Sequence, residues 1–412
     1  MVQPPITGLV LSGGGARAAY QVGVLRAIAR LRREALGARG QAGNPFDVIV
    51  GTSAGAINAA ALACHADRFD AAVEVVSKVW QNFSADQVYR ADSLGVIRSG
   101  AQWLTMLSIG WLIARWRKAR PRSLLDNSPL AELLQRLVPL ERLPQLMGNG
   151  HLRALAVTAS SYTSGEHYTF YSAGVPIAPW ERSQRVAAPT VLQQAHLLAS
   201  SAIPFVFPAT HIEHPQANGW FGDGSMRQTA PLSPAIHLGA QRLLIIGAGR
   251  MQEPARRQVA DSGYPNLAQI AGHAMSSIFL DALAVDIERM RRINRTLALL
   301  PEHVLTDTPL KPIEALVISP SQRVDDIAAR HIGSLPAPVR TLLRGVGVSG
   351  QGSTARGSAL ASYLLFEAPF TRELMALGEA DTQARRDEVL QFFKWDADQG
   401  PRPGGAAVDI GL

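Results

Sequence analysis

The chain has 412 residues and one cysteine, Cys64. This excludes a disulfide framework and a cysteine-rich zinc site, and it fits a reducing compartment. The spacing of the ten histidines offers no ligand cluster either, so neither a metal nor a cofactor is expected. Long apolar runs are missing. The longest, Ala101 to Ala114, lies between Arg98 and Arg115. It falls short of the about 20 residues that span a bilayer. The opening Met-Val-Gln-Pro-Pro lacks the basic residues of a secretory signal, and the apolar stretch after it runs straight into glycines. No internal repeat and no collagen or coiled-coil bias is present. A composition 47% apolar and 18% charged is too apolar for a disordered chain. These absences describe a globular cytoplasmic protein, long enough to bury about three quarters of its unfolded surface.

Lysine is scarce, and nearly all of the positive charge is arginine. The formal net charge is +7. A basic balance points to an anionic partner: nucleic acid, a membrane surface or an anionic substrate. Nucleic acid is the weakest of these. The basic stretch Arg289 to Arg295 lies on one side of a helical pattern whose other side carries Ile287, Met290 and Ile293. It reads as a solvated face, with no interleaved exposed aromatics and no recognition motif.

The N-terminal part alternates strand and helix. Ile6 to Leu11 is a short buried strand that breaks at Ser12-Gly13-Gly14-Gly15, before a helix carrying Tyr20, Val24, Leu25 and Ile28 on one face. Phe46 to Val50 is a second buried strand. It breaks at Gly51-Thr52-Ser53-Ala54-Gly55, before an Ala-rich helix reaching about Cys64. This order implies a parallel sheet with right-handed crossovers. Residues 85–150 are helical, rich in Leu, Trp and Arg, and read as a cap inserted over the sheet. Strand signals return at Leu152 to Thr158, Tyr168 to Tyr171, His211 to Glu213, Leu243 to Ile246 and Leu316 to Ile318. A long helix is expected from about Leu267 to Leu299. A Gly/Ser loop follows at Gly345 to Gly357, and a helical hairpin from Ser358 to Trp395. Residues 396–412 read as a disordered tail.

Gly51-x-Ser53-x-Gly55 between a strand and a helix is the setting of a nucleophile elbow. The serine stands on a sharp turn with its oxygen presented. The flanking positions must be small because strand and helix backbones nearly touch. The helix after it aims the positive end of its dipole at the serine. Gly13-Gly14-Gly15-Ala16-Arg17 opens the first helix with successive backbone N–H groups, which bind an anion or an oxyanion formed during acyl transfer. Arg17 adds a cation, either to steady the loop or to meet a lipid phosphate. A rival reading exists, because Gly13-x-Gly15-x-x-Ala18 also satisfies the dinucleotide fingerprint. That fold wants an acid at the end of the second strand, whereas Asp47 stands at its start.

The serine needs a base. His65, His273, His211 and His214 all stand in unremarkable contexts. Asp223, in Gly219-Trp220-Phe221-Gly222-Asp223-Gly224-Ser225, is the better candidate. The glycines let the backbone turn sharply, and aromatic neighbours would desolvate the carboxylate and raise its pKa.

In these three motifs the chain resembles the patatin-like phospholipases. That family carries a Gly-Gly-Gly-x-Arg loop, a Gly-x-Ser-x-Gly elbow and an Asp-Gly-Gly or Asp-Gly-Ala motif, in that order. Ala199-Ser200-Ser201-Ala202-Ile203-Pro204 also resembles a segment the family places shortly before its aspartate. Two positions depart from the pattern: Ser225, where Gly or Ala is usual, and Ala18, where many members have Gly. The resemblance implies a three-layer α/β/α sandwich with a mostly parallel central sheet. A catalytic domain would span residues 5–240, with the helical cap at 85–150, and a C-terminal extension at 241–395 would pack on it. It implies Ser53 as nucleophile, Asp223 as general base without a histidine, and the N–H groups of Gly13, Gly14, Gly15 and Ala16 as oxyanion hole. Arg17, Gly51, Gly55 and Gly224 would support them. The substrate would be a membrane phospholipid or lysophospholipid, cleaved through an acyl-enzyme. A general carboxylesterase, an acyltransferase and a non-catalytic membrane-bound regulator are the alternatives. Trp103 to Arg122, with three tryptophans ahead of five basic residues, suits peripheral contact with an anionic membrane, at the inner surface for a cytoplasmic protein. A buried cap helix is the competing reading of that segment.

Overall fold

The computed structural model describes residues 4–37, 43–90, 123–251, 264–350, 352 and 355–395. Both the Trp103 to Arg122 segment and the tail 396–412 lie outside the described residues.

A sheet of ten strands forms the middle layer. The strands are β1 (Thr7–Leu11), β2 (Val48–Thr52), β3 (Ala154–Ser161), β4 (His167–Ala173), β5 (Glu181–Arg182), β6 (Arg185–Pro189), β7 (Thr210–Ile212), β8 (Gly219–Asp223), β9 (Arg242–Ile246) and β10 (Glu314–Ile318). Their order is β10-β9-β1-β2-β3-β4-β6-β5, with β8 paired to β3 and β7 to β8. The run from β10 to β3 is parallel. β4 and β8 run antiparallel to β3. The central strands are apolar along their whole length because both faces are covered. Leu9, Leu11, Ile49, Leu155, Val157, Leu244 and Ile246 enter one core, and Val10, Val48, Val50, Ala154, Ala156, Leu243 and Ile245 enter the other. Each such aliphatic side chain contributes about 1.5–3 kcal/mol on full burial. The fold is therefore the expected α/β/α sandwich.

The two outer layers differ in thickness. On one side lie α1 (Ala19–Leu36), α2 (Ala54–Ala63), α3 (Phe69–Gln81) and the helix Ala368–Ala384. On the other lie the helices Ser233–His237 and Ala282–Leu297, through Leu232, Ala235, Leu283, Ile287 and Met290. The C-terminal part belongs to the same body. β9 and β10 extend the sheet beside β1, and Ala368–Ala384 packs backbone to backbone on α1. A Cβ on Gly23 would lie 2.0 Å from the Met375 carbonyl oxygen, and one on Gly378 would lie 2.4 Å from that of Tyr20.

Several expected elements take a different form. The long helix is continuous from Leu267 to Leu297 but contains a π-turn at Ser277–Asp281, where Phe279 is pushed inward. It is the one helix among the described residues long and apolar enough to cross a membrane. Its Phe279, Leu283, Ile287 and Met290 are nevertheless buried within the fold. The C-terminal hairpin is three helices, Ser358–Leu364, Ala368–Ala384 and Arg386–Phe393. The second starts with Pro369 in its first turn, where a missing N–H costs nothing. The short β5 and β6 were not foreseen. The described part of the cap holds only short helices, among them Ser128–Leu137 and Leu143–Gly148.

Candidate active site

β2 ends at Thr52, and the chain turns through Ser53 into α2. Ser53 holds φ 56° and ψ −132°, a conformation that costs a residue with a side chain about 1–3 kcal/mol. The surroundings leave no other path. A Cβ on Gly51 would lie 2.4 Å from the Gly55 carbonyl oxygen. One on Gly55 would lie 2.5 Å from the carbonyl oxygens of both Leu11 and Ser12. Backbone meets backbone at both positions, so only glycine fits. The Ser53 amide donates to Ser200 Oγ at 2.9 Å, which ties the turn to the helix Gln194–Ser200.

The carboxylate arrives from the opposite direction. β3 outruns β2. Thr52 pairs with Thr158, and the remaining residues Ala159 to Ser161 pair with β8 instead. β2 and β8 therefore meet end to end along one edge of β3, with Asp223 opposite Ala159. Ser53 Oγ donates to Asp223 Oδ2 at 2.6 Å. Asp223 Oδ1 accepts from the Ser225 amide at 2.9 Å, and the Asp223 amide donates to the Ala202 carbonyl at 3.1 Å. Ser53 and Asp223 are 1% and 0% exposed. Burial pushes the Asp223 pKa from 3.8 up to about 6, while hydrogen bonds from Ser53 and Ser225 pull against the rise. Burial of the whole turn, rather than Trp220, which is half exposed, supplies the desolvation. Gly224 is forced, since a Cβ there would lie 2.4 Å from the Thr158 carbonyl oxygen.

The glycine loop sits on the third side. A Cβ on Gly13 would lie 3.1 Å from Ser53 Cβ, so the loop backbone flanks the nucleophile directly. Gly15 has φ 54°, and a Cβ there would meet the Tyr363 carbonyl oxygen at 2.3 Å. Gly15–Ala18 forms a 3₁₀ turn leading into α1. Among the described residues, no protein acceptor pairs with the Gly13 or Gly14 N–H. Such free donors beside a serine can receive negative charge developing on a carbonyl oxygen.

Arg17 does not reach out to a lipid phosphate. It is 2% exposed, and its guanidinium donates to Ser362 Oγ at 2.7 Å, Asp325 Oδ1 at 2.6 Å and the Ala359 carbonyl at 3.2 Å. It also lies 4.1 Å above the Tyr363 ring. Of its two expected roles it takes the first and clamps the glycine loop to the C-terminal helices. A buried chain of hydrogen bonds secures the loop from behind: Gln21 to the Ser12 carbonyl at 2.7 Å, Asn58 to Gln21 at 3.1 Å, and Trp80 to Asn58 at 2.9 Å. Gln228 donates to Thr52 Oγ1 at 2.9 Å, itself 2.8 Å from Thr158 Oγ1. Sequence reasoning missed these residues, because each is ordinary in its local context and gains its partner across the fold. Ser200 alone carried a signal, within the Ala199 to Pro204 segment.

The histidines weighed as a base from the sequence do not meet the pair. His65 contacts the Ala61 carbonyl, His211 packs on Trp220, and His214 contacts the Pro189 carbonyl. Among the described residues no hydrogen bond joins a histidine to Ser53 or Asp223. None of their His, Cys, Asp and Glu side chains are grouped to hold a metal ion.

A narrow apolar cavity of about 60 Å³ is lined by Ser53 and Gly15 and by residues of α2, α3 and the helix Ser128–Leu137. Ile57, Val76, Trp80, Leu134, Ile203 and Phe366 are among the residues that line it. The described part of the cap thus forms one wall of this cavity.

None of the curated proteins matches the chain. Among solved structures it is similar to VipD from Legionella pneumophila, with 14% identity over 90% of this chain and 67% of that one, at a TM-score of 0.32. It is similar also to human GIVD cytosolic phospholipase A2 bound to methyl gamma-linolenyl fluorophosphonate, with 14% identity over 95% and 59% at a TM-score of 0.40. A third is full-length ExoU of Pseudomonas aeruginosa in complex with SpcU, with 15% identity over 96% and 78% at a TM-score of 0.25. The chain spans about three fifths of the length of the human protein. The sequence profile described as Patatin-like phospholipase matches residues 9–236, more than half of the chain. That match covers the glycine loop, the elbow and Asp223 alike, and on it the chain belongs to the patatin-like phospholipase family of lipid ester hydrolases.

Proposed function

We propose that the protein is a serine acyl hydrolase of the phospholipase A or lysophospholipase type, working through Ser53, Asp223 and an acyl-enzyme. The observation that carries this reading is the 2.6 Å hydrogen bond from Ser53 Oγ to Asp223 Oδ2, buried beside an apolar cavity. In this mechanism Asp223 takes the Ser53 proton as Oγ attacks the ester carbonyl carbon. The carbonyl electron pair moves to oxygen, where the N–H groups of Gly13 to Ala16 stabilise it. Collapse expels the alcohol, which takes the proton from Asp223. Water then attacks the acyl-enzyme with Asp223 again as base, and the fatty acid leaves.

The cavity suits an acyl chain: its walls are aliphatic and aromatic, and Ser53 is among the residues that line it. Residence in the cytoplasm, with peripheral contact at the anionic inner membrane surface, belongs to the same proposal and is supported by the single cysteine and the net charge of +7.

The test is a fluorophosphonate reaction read by intact mass, followed by turnover of lysophospholipid and phospholipid vesicles. One adduct on the wild type and none on Ser53→Ala is the expected result. Acyl transfer to an added alcohol in preference to water would make the enzyme an acyltransferase. No adduct on folded wild type would leave a non-catalytic membrane protein as the better reading.

A further inference from the structure

We propose that the Ser225 hydroxyl is a further catalytic donor, one that completes the oxyanion site by donating to the carbonyl oxygen of the bound ester. This rests on the Ser53–Asp223 reading above and deepens it.

Ser225 is buried, and its Oγ completes no well-formed hydrogen bond among the described residues, although the hydroxyl lies near enough to the Asp223 carboxylate to help hold its pKa down. A buried hydroxyl without a partner destabilises the folded chain, so its presence calls for a use that the resting structure does not display. Its position supplies one. A Cβ on Gly13 would lie 2.3 Å from Ser225 Oγ, 3.1 Å from Ser53 Cβ and 3.0 Å from the Phe279 ring. The hydroxyl, the nucleophile and the glycine loop therefore look onto one small space. The Ser225 backbone is held separately, by its amide bond to Asp223 Oδ1 at 2.9 Å. The side chain can turn about a single bond, from the Asp223 carboxylate towards the ester, while the amide keeps its hold on Oδ1. Phe279, carried on the π-turn, lies beside Gly13 and packs on Tyr363 with ring centroids 5.0 Å apart, and the Ser225 side chain is itself buried. A donor in such a dry site acts far more strongly than one in water.

The position is also one of the two where this chain departs from the family pattern, since Gly or Ala usually follows Asp-Gly there. In the proposed step the Ser53 Oγ–carbon bond forms and the carbonyl pair moves to oxygen. Ser225 donates a hydrogen bond to that oxygen and transfers no proton. A different role is available to the same atom: donation to the Asp223 carboxylate, which would act by making Asp223 a weaker base.

The test compares wild type, Ser53→Ala, Ser225→Ala and Ser225→Gly for ester turnover against pH, fluorophosphonate labelling of Ser53, and thermal melting. The expected result is a fall in kcat of about 100-fold in both Ser225 variants, with KM little changed and the acid limb of the pH profile in place. Their Tm should be equal to or above that of wild type, because each removes an unpaired buried hydroxyl. Unchanged kcat would overturn the proposal, since the hydroxyl would then be a bystander. A rate loss explained by a shifted acid limb would also overturn it, in favour of a role through Asp223. A wild type whose turnover survives Ser53→Ala would instead refute the underlying Ser53–Asp223 reading.

Discussion

Replacing Asp223 by Asn separates the electrostatics of this site from its geometry. In the wild type the carboxyl pKa rises from 3.8 to about 6 because burial disfavours the charged form. The folded state therefore binds this proton more tightly than the unfolded state does. The contribution to stability is fully present below the unfolded pKa of 3.8, and it is lost as pH rises through about 6. At about 1.4 kcal/mol per pKa unit, ionised Asp223 costs the fold on the order of 3 kcal/mol at pH 8. Asn keeps an acceptor oxygen for the Ser225 amide and turns its NH2 towards Ser53 Oγ, which then accepts, and it carries no buried charge. Asp223→Asn should thus melt several degrees above wild type at pH 8, and the gap should close as pH falls from 6 towards 4. Activity should move the opposite way. Wild-type kcat/KM should drop about tenfold per pH unit below 6, and Asp223→Asn should lose about 100-fold to 10,000-fold at every pH, as a missing general base requires. Melting curves and pH–rate profiles on both proteins measure all of this. An acid limb near 4, or a melting gap between Asp223→Asn and wild type no larger at pH 8 than at pH 5, would refute the reasoning.

Three further outcomes follow from the same geometry. Gly55→Ala places a methyl 2.5 Å from two carbonyl oxygens at the end of β1, so it should cost about 1–3 kcal/mol by overpacking and abolish fluorophosphonate labelling; an unchanged melt would contradict the close approach. Asp325→Ala leaves the buried Arg17 cation without its counter-charge, and should cost on the order of 3 kcal/mol while slowing labelling of Ser53 through a slackened glycine loop. A variant with full stability and full labelling rate would show that the clamp is idle. Leu134→Trp narrows the apolar cavity between α2 and the cap, so turnover of long-chain esters should fall by about tenfold or more while acetyl esters keep theirs. Equal losses for both chain lengths would place the acyl group elsewhere.

Much of this site is legible in the chain because its causes are local. The elbow needs only a buried strand, an apolar helix and two glycines within five residues, and the clash that selects Gly51 arises against Gly55 and Ala56 a few positions on, although the one that selects Gly55 comes from Leu11 and Ser12 on the neighbouring strand. The glycine loop is legible for the same reason, and so is the two-faced apolar character of β1, β2 and β9. The strand β8 is not. It is short, has glycine at Gly219 and Gly222, and gains its ladder on the overhang of β3 and on β7. That overhang decides that Asp223 stands 2.6 Å from Ser53, across a separation of 170 residues. The same holds for Arg17, whose family role left two options open until Asp325 and Ser362 appeared beside it. Ser225 reads in the chain as a mild departure from a motif, and only the packing of the glycine loop against it shows its hydroxyl buried beside Gly13. The sequence alone determined the layered fold and which turns must be tight, because steric limits on neighbouring residues act over a few ångströms of chain. The tertiary structure alone decided which groups share a proton and which charge is clamped, because those depend on register and burial summed over the whole sheet.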